Sequence, residues 1–314
     1  MIRVGVIGLG AIGQRLIKGF NDHPETVIGA VCDTVEERAK EVARELGGIP
    51  GFQNHHEMLK NVALDLVYVA VPPKFHHAVA SDVLAEGIHI LCEKPLANSI
   101  EEAESLLKKA QDSSVVHAMN FPLNYSVGSK SFEKLIKQNY VGSLRRIHFK
   151  MHFPEWPRPW QQNTWVASKE QGGYVLEVGV HFIQQIQRIF GPLKVKNVQI
   201  QFPEDPQASE NAILATLELL DGTPVTIDGM SQVAGKEEIA LTAYGTDGTL
   251  SLLNWGELEG GKLGENIRPL EPDHTLADSL IDNLVKAING ENATIIDFAA
   301  GYEAQVILEK LRKN

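Results

Sequence analysis

The sequence contains few cysteines and no long hydrophobic run. Only two cysteines, Cys32 and Cys92, occur among 314 residues. Each lies in an apolar run, where a buried free thiol is expected, and they lack the CxxC spacing of a metal site. No apolar run approaches the roughly 18 residues of a membrane-spanning helix, and the N-terminus shows no secretory leader. We therefore expect a cytoplasmic protein that does not bind membranes.

Basic residues are also scarce relative to acidic ones. The chain has 29 Lys and Arg against 40 Asp and Glu, so its formal net charge is -11. This charge opposes non-specific attraction to nucleic acids or anionic membranes, and it favours small-molecule chemistry. Hydrophobic residues make up 43% and charged residues 22%, which is typical of soluble globular proteins. The length indicates about two domains.

The first third of the chain alternates short apolar runs with helical patterns. Continuous Val, Ile and Leu runs predict strands that are buried on both faces, at residues 2–7, 27–32, 64–71 and 88–92. Helical patterns lie between them, and Ser99 with Glu102 resembles a capping box at the start of a further helix. This alternation predicts an α/β Rossmann fold, a doubly wound parallel sheet, over residues 1–119.

The pattern changes beyond residue 120. Strand-like runs occur at residues 146–152, 195–202, 212–220, 225–230 and 239–244. Asp221-Gly222 and Asp247-Gly248 lie between such runs, which is a strong hairpin signal. We expect residues 120–314 to form an α+β domain with a largely antiparallel, open-faced sheet. Helices would cover one face, and the other would meet solvent or another subunit.

A glycine-rich turn between the first strand and the first helix predicts a dinucleotide site. The candidate cofactor-binding residues of this turn are Gly8, Gly10, Ala11, Ile12 and Gly13. Gly8 permits the tight turn, Gly10 lets the backbone approach a pyrophosphate, and Gly13 lets the helix pack closely on the sheet. Asp33 follows Gly13 by twenty residues, the spacing expected of a residue that binds the adenosine ribose. Its charge would repel a 2′-phosphate, so NAD is favoured over NADP, although Arg38 could bind such a phosphate.

A second motif, Glu93-Lys94-Pro95, ends a predicted strand. Ligands of open α/β sheets gather at the carboxyl ends of the strands, and the proline restrains Lys94. With this tripeptide the chain resembles the Gfo/Idh/MocA family of glucose-fructose oxidoreductase-like and inositol dehydrogenase-like enzymes. The resemblance covers nearly the whole chain and implies an NAD(P)-dependent dehydrogenase of a sugar, polyol or cyclitol. It also implies that the cofactor contacts Pro72, His76, Glu93 and Lys94.

The same resemblance extends to a signature of the second domain, GG-x3-D-x-G-x-H. Here it runs from Gly172 to His181, with Glu177 in place of the aspartate. The family likeness implies that Lys94, His181 and Glu177 are catalytic and contact the substrate. Hydride transfer needs a proton acceptor at the substrate oxygen, and both His181 and Lys94 could serve. Because Gly179 lies within the predicted helix, we also expect a close approach to its backbone.

Three of the four tryptophans lie between residues 153 and 165. We expect Trp160 and Trp165 to contact a carbohydrate-like substrate, with hydrogen bonds from Gln161, Gln162 and Asn163. A loop that covers a sheet edge or a subunit contact would explain the same composition. Two further positions differ from the family pattern and bear on substrate placement. Pro73 replaces an asparagine that lies beside the nicotinamide in many relatives, and Leu123-Asn124 replaces an often basic pair at the entry to the second domain.

Metal ligation is not expected, because the pairs His55-His56 and His76-His77 lack a matching set of ligands. Two other functions stay open, an NAD-dependent glycosidase with transient oxidation and a non-catalytic dinucleotide-sensing regulator. The family resemblance also implies a homodimer or homotetramer built through the open sheet face.

Overall fold

The structure, a computed structural model, describes residues 1–161 and 164–312 and divides into two compact units. Unit 1 comprises Met1–Phe121 and Ser279–Gln305, and unit 2 comprises Pro122–Asp278 and the chain from Val306 onward. The predicted division, 1–119 and 120–314, differs from this one mainly because Ser279–Gln305 returns to unit 1. No helix among the described residues is long and apolar enough to cross a membrane.

Unit 1 is built on a six-stranded parallel sheet. Its strands are β1 (Ile2–Ile7), β2 (Thr26–Cys32), β3 (Gly51–Phe52), β4 (Leu66–Val69), β5 (His89–Glu93) and β6 (His117–Asn120). They lie in the order β3-β2-β1-β4-β5-β6, the order of a dinucleotide-binding Rossmann fold. This confirms the predicted fold class.

Five helices connect these strands: α1 (Ala11–Asp22), α2 (Glu36–Glu45), α3 (His55–Asn61), α4 (His76–Ala85) and α5 (Ile100–Gln111). Ser99 caps α5 as predicted, because its side chain accepts a hydrogen bond from the Glu102 amide at 3.2 Å. Cys32 and Cys92 are buried free thiols, which confirms the sequence prediction. Burial raises the pKa of Cys32 to about 12.

Unit 2 contains an eight-stranded sheet. Its strands are β7 (Leu144–Phe153), β8 (Leu193–Gln201), β9 (Ala212–Leu219), β10 (Pro224–Ser231), β11 (Glu238–Gly245), β12 (Gly248–Leu253), β13 (Glu257–Lys262) and β14 (Arg268–Leu270). The order is β14-β13-β12-β11-β7-β10-β9-β8, and every neighbouring pair is antiparallel except β10 with β7. Both predicted Asp-Gly turns join antiparallel neighbours, β9 with β10 and β11 with β12.

The two faces of this sheet differ. Unit 2 also contains α6 (Val127–Lys137) and α7 (Val180–Phe190), and α7 packs on the sheet where Phe182 stacks on Phe149 at a ring separation of 4.7 Å. Side chains of the opposite face stay accessible, and Leu214 is 53% and Met230 41% exposed. The open-faced sheet is therefore confirmed.

The C-terminal segment adds α8 (Leu280–Ile288) and α9 (Phe298–Arg312). In unit 1, the Met119 amide donates to the carbonyl of Ile296 at 2.7 Å, and Asp297 forms an antiparallel bridge with Ala118. His23 pairs with Asp282 of α8 at 3.0 Å. Backbone pairing with β6 thus explains why this segment belongs to unit 1.

Candidate active site

The three glycines of the turn after β1 differ in what surrounds them. Gly8 has a φ of +94°, and a Cβ there would lie 2.5 Å from the carbonyl oxygen of Ala70. A Cβ at Gly13 would lie 1.9 Å from the carbonyl oxygen of Gly8. Among the described residues, nothing lies within 4 Å of a Cβ placed at Gly10. Packing therefore requires Gly8 and Gly13, whereas Gly10 borders open space.

This turn presents the first amides of α1. Gly10 occupies the N-cap and has no side chain to accept from them, Ala11 is exposed, and Ile12 is half-buried. A helix start of this kind is an anion site, because unsatisfied N–H groups and the helix dipole both favour negative charge. Open space at Gly10 and the amides of α1 together fit a dinucleotide pyrophosphate.

Asp33 is connected directly to the glycine turn. It is 7% exposed, and its carboxylate accepts hydrogen bonds from the amides of Leu9 and Val35, each at 2.9 Å. Both carboxylate oxygens also lie 3.1 Å from Nη1 of Arg38. Asp33 is thus hydrogen-bonded to the glycine turn, which is compatible with the ribose-binding hypothesis. Arg38 forms an ion pair with the same carboxylate.

Glu93 lies at the end of β5 in a buried hydrogen-bonding cluster. Its Oε1 accepts from the Tyr68 hydroxyl and from the Asn120 side-chain amide, each at 2.5 Å. Burial raises the pKa of Glu93, while the two donors oppose this shift. The Asn120 Oδ1 atom is buried and has no hydrogen-bond partner among the described residues. Lys94, the next residue, is half-buried. The hydrogen bonds to the Glu93 carboxyl group restrain the backbone from which the Lys94 side chain extends.

His76 holds two loops of unit 1 together. It is fully buried, with Nδ1 2.7 Å from the carbonyl oxygen of Pro95 and Nε2 2.8 Å from that of Val71. Burial lowers the pKa of the imidazole. Both ring nitrogens therefore face backbone carbonyls, and the side chain fixes the Pro72 loop relative to the Glu93-Lys94-Pro95 turn.

In unit 2, a buried carboxylate supports the Gly172-Gly173 turn. Gly173 has a φ of +95°, and a Cβ there would lie 2.2 Å from Oε2 of Glu210. Glu210 is 3% exposed and accepts from the Val175 amide at 2.8 Å. Burial raises the pKa of Glu210, and Arg312 opposes the shift. Gly173 thus allows Glu210 to reach the backbone at the start of the next helical turn.

That helical turn, Val175–Gly179, is a π-helix that leads directly into α7. It contains the half-buried Glu177, and the 6% exposed His181 follows in the first turn of α7. A single π turn inside a helix often marks a functional site, because it changes the direction of the side chains around it. The predicted close approach at Gly179 is wrong, since the nearest atom to a Cβ there is Met151 Sδ at 3.6 Å, an ordinary contact.

Trp255 is a residue that the sequence analysis missed. Its ring lies 5.3 Å from that of His181 at an interplanar angle of 79°, and 5.2 Å from that of Phe182. Trp255 and the preceding Asn254 both have positive φ, in the turn between β12 and β13. Positive φ at two successive residues is the usual geometry of a tight hairpin turn, and here it joins the antiparallel strands β12 and β13. The contact between Trp255 and His181 is visible only in the folded structure, because no sequence motif connects the two residues.

The three tryptophans of the segment before Gly172 differ in their contacts and exposure. Trp156 packs against Phe153 and Tyr174 at ring separations of 5.0 and 5.7 Å. Trp160 is 53% exposed and Trp165 is half-buried, so these two remain candidates for substrate contact.

The polar residues of this segment are described only in part. Gln161 accepts a hydrogen bond from the backbone amide of Arg158 at 3.1 Å, which shapes the loop. The predicted substrate contacts Gln162 and Asn163 lie outside the described residues.

The departures from the family pattern serve packing within their own units. Asn124 is 1% exposed, donates to Gln184 at 2.8 Å and accepts from Arg188 at 2.6 Å, so it fixes α7. Pro73 is buried and opens a short 3-10 helix, Pro73–Phe75. Lys94 belongs to unit 1, and Glu177 and His181 belong to unit 2.

Comparison with known proteins identifies the family. Residues 2–121 match the family model described as "Oxidoreductase family, NAD-binding Rossmann fold", and residues 133–313 match "Oxidoreductase family, C-terminal alpha/beta domain". Among curated proteins, scyllo-inositol 2-dehydrogenase (NADP(+)) of Bacillus subtilis is 24% identical, with 80% of this chain and 75% of that protein aligned. The 2,7-anhydro-N-acetylneuraminate hydratase of Escherichia coli is 28% identical over 62% of this chain, and the chain covers half of its length.

Solved structures show the same fold. Levoglucosan dehydrogenase in complex with NADH and levoglucosan superposes with a TM-score of 0.86 at 18% identity, covering 99% of this chain and 96% of that one. The WlbA dehydrogenase of Bordetella pertussis, in complex with NADH and UDP-GlcNAcA, gives a TM-score of 0.85 at 20% identity and covers 99% and 95%. The fold, the glycine turn and both family matches lead to one conclusion: this chain belongs to the Gfo/Idh/MocA family of NAD(P)-binding oxidoreductases.

Proposed function

We propose that this protein is an NAD-dependent dehydrogenase that oxidises a secondary alcohol of a carbohydrate-like substrate. The observation that carries the proposal is the arrangement of unit 1. Asp33 is tied to the open glycine turn, and Lys94 follows directly on a buried, hydrogen-bonded Glu93. The first feature suits a dinucleotide, and the second supports a role for Lys94 as a cationic donor at the carboxyl end of β5.

The preference for NAD rests on Asp33. Its buried carboxylate can accept hydrogen bonds from ribose hydroxyls, and it disfavours a 2′-phosphate through charge repulsion. Arg38 already pairs with this carboxylate, so a ribose would compete with the guanidinium for the same oxygens. In the Actinomadura kijaniata 3-ketoreductase the bound cofactor is NADP, so the family accommodates both dinucleotides.

The chemistry divides between residues of this chain and the cofactor. Bound NAD would accept the hydride from the carbinol carbon. Lys94 would donate a hydrogen bond to the substrate oxygen and stabilise the negative charge that develops there. His181 would accept the hydroxyl proton, since an imidazole changes protonation near neutral pH. In the reverse assignment Lys94 would accept the proton and His181 would donate the hydrogen bond to the substrate oxygen.

Support for a carbohydrate-like substrate comes from relatives and from unit 2. Related proteins are named for scyllo-inositol, glucose 6-phosphate and levoglucosan, all of which carry several carbinol groups. Trp160 offers an exposed aromatic ring of the kind that packs on the apolar face of a sugar. Its indole lies 5.9 Å from the Arg158 guanidinium, which Glu237 holds through two hydrogen bonds.

A panel of sugars, polyols and cyclitols, assayed by NADH absorbance with NAD and NADP in parallel, tests this proposal. We expect activity on at least one of these substrates with NAD, and a loss of about 100-fold or more in kcat for Lys94→Ala and His181→Ala, as is usual for general acid–base groups. Lys74→Ala is the matched control, because Lys74 is an exposed lysine of the same unit that lies 5.0 Å from the Phe75 ring. Retention of activity in Lys94→Ala would refute the proposed catalytic role, whereas normal biological function of that variant would favour a dinucleotide-sensing regulator.

The second candidate is an NAD-dependent glycosidase with transient oxidation, and it is favoured by the E. coli relative, whose name, a hydratase, describes a reaction without net oxidation. In such a cycle the hydride returns to the substrate, so NADH does not accumulate although product forms. Product detection by mass spectrometry alongside the absorbance assay separates the two reactions.

We also propose that copies of the chain associate through the exposed sheet face of unit 2. Leu214, Met230 and Tyr244 lie on this face by strand register, and each is at least 40% exposed. Exposed apolar side chains that share one sheet face are typical of subunit interfaces. Light scattering should give a dimer or tetramer, and Tyr244→Glu should shift the protein toward a monomer.

A further inference from the structure

Two adjacent histidines and one aspartate converge on the surface of unit 1. His55 and His56 are the first residues of α3, and Asp82 lies on α4. Nε2 of His55 lies 2.8 Å and Nε2 of His56 3.6 Å from the same carboxylate oxygen, Oδ2 of Asp82. No metal was expected here, because no residue near the histidine pair in the sequence completes a ligand set. The fold supplies one from a different helix.

The distances among these groups suit a four-coordinate metal ion. One ligand atom from each residue lies within 4.8 Å of the other two. Tetrahedral zinc with bonds of about 2.0–2.1 Å holds its ligand atoms about 3.3 Å apart. The two separations from Asp82, 2.8 and 3.6 Å, lie on either side of that value. Small rotations of the side chains would therefore bring all three ligand atoms onto one ion.

A simple ion pair accounts for only part of this arrangement. The 2.8 Å contact of His55 with Asp82 is an ordinary hydrogen bond, but the 3.6 Å separation from His56 is too long for one. The two imidazole rings lie 4.1 Å apart, so both can reach a single ion beside Asp82. A divalent cation bound by two neutral imidazoles and one carboxylate would account for all three positions.

The donor set also indicates the kind of metal. Two imidazoles and one carboxylate resemble the His2Glu ligands of three-ligand zinc sites, whereas calcium and magnesium prefer oxygen ligands alone. His56 and Asp82 border a surface depression of about 420 Å³, so water can complete the coordination. Lys60 and Glu86 border the same depression and carry opposite charges. Access and charge are thus compatible with a bound cation.

We propose that His55, His56 and Asp82 form a surface site for a divalent transition-metal ion, with zinc the best match. The site shares no residue with the candidate dinucleotide site, and its formation does not depend on the proposed dehydrogenase activity. Because its ligands come from α3 and α4, a bound ion would link the two helices and stabilise unit 1.

Isothermal titration calorimetry of the full, tag-free chain with zinc chloride tests the site, after the protein has been stripped with a chelator. We expect one equivalent of zinc to bind, and we expect His56→Ala and Asp82→Asn each to weaken binding by about 10-fold or more, since even loss of an outer-shell partner typically costs that much. The His56 side chain is 63% exposed, so this variant tests the ligand without disturbing packing. Circular dichroism verifies that both variants are folded.

His77→Ala is the matched control. It removes a histidine of α4 whose Nε2 lies 3.1 Å from the Ser105 hydroxyl, outside the cluster. We expect it to bind zinc like the wild type. The wild type should also show a zinc-dependent rise in melting temperature that Asp82→Asn lacks. Equal zinc affinity in wild type, His56→Ala and Asp82→Asn, or no binding by the wild type, would overturn the proposal.

Discussion

The Tyr68 hydroxyl lies 2.5 Å from Oε1 of Glu93, and the two buried residues lie on neighbouring strands of the parallel sheet. Burial raises the pKa of each group, so neither tends to ionise as readily as in water. Glu93, which directly precedes Lys94, is therefore a buried carboxyl group. Neutral donors, the Tyr68 hydroxyl and the Asn120 amide, hold it in place.

This environment predicts how stability depends on pH at Glu93. Its pKa in the folded state lies above the unfolded value of about 4.3, so its contribution to stability is full below that value and is lost as pH rises through the folded pKa. Glu93→Gln carries no charge, and its stability relative to the wild type should increase with pH above about 4.3. Urea unfolding at several pH values measures this difference.

Glu36→Gln is the control for that experiment. Hydrogen bonding and charge from Lys40 lower the pKa of the exposed Glu36, so its contribution to stability is lost as pH falls. The stability of Glu36→Gln relative to the wild type should therefore change with the opposite sign. If the advantage of Glu93→Gln shrank as pH rose, the assignment of a raised pKa would be wrong.

Alanine at Gly13 and alanine at Gly10 should separate folding from cofactor binding. A Cβ at Gly13 would meet a backbone oxygen at 1.9 Å, so Gly13→Ala should lower the melting temperature of the cofactor-free protein, with overpacking costing about 1–3 kcal/mol. Gly10→Ala has open space and should lower the melting temperature much less, because only the N-cap preference for glycine over alanine is lost. It should weaken NAD binding by about 10-fold, roughly 1.4 kcal/mol. Normal NAD affinity in Gly10→Ala would contradict the pyrophosphate assignment.

Arg38 should determine how much NADP the protein can use. Removal of its guanidinium leaves the Asp33 carboxylate for the ribose and removes a cation that could bind a 2′-phosphate. A hydrogen bond to a charged group contributes about 1.5–3 kcal/mol, so Arg38→Ala should lower kcat/KM for NADP by about 10-fold or more without lowering that for NAD. Arg44→Ala, on the exposed last turn of α2, is the matched control. Equal losses with both cofactors would argue against this role.

Trp255 should act on catalysis by positioning His181. An aromatic pair contributes about 0.5–1.5 kcal/mol, so Trp255→Ala should lower kcat by about 2- to 10-fold and leave KM for NAD unchanged. Trp255→Phe retains an aromatic edge and should restore most of the activity. Steady-state kinetics of both variants measure the effect. Similar kinetics in the two variants would show that the ring contact does not position His181.

Local sequence patterns were sufficient to predict the fold class of both units and most of their strands, although the short strands β3, β13 and β14 were not predicted. Continuous apolar runs mark the strands of unit 1, and Asp221-Gly222 marks a hairpin of unit 2, because these signals lie within a few residues of the structure that they determine. The glycine turn and Asp33 were predictable for the same reason.

The contacts that support the site depend on register and long-range packing. Tyr68 and Asn120 approach Glu93 only because β4, β5 and β6 are neighbours in the sheet. Trp255 meets His181 across 74 positions of the chain, and its turn carries no motif. The carboxylate that completes the histidine cluster comes from a separate helix. Sequence spacing contains none of this information.

The burial of both thiols makes the chain well suited to site-specific spectroscopy. Cys32 has a pKa of about 12, and burial also raises the pKa of Cys92, so almost no thiolate is present at neutral pH to react with a maleimide. A cysteine introduced at an exposed position such as Lys74 would then label selectively in the otherwise native sequence. Fluorophores attached in this way could report cofactor-driven motion in solution without prior removal of Cys32 or Cys92.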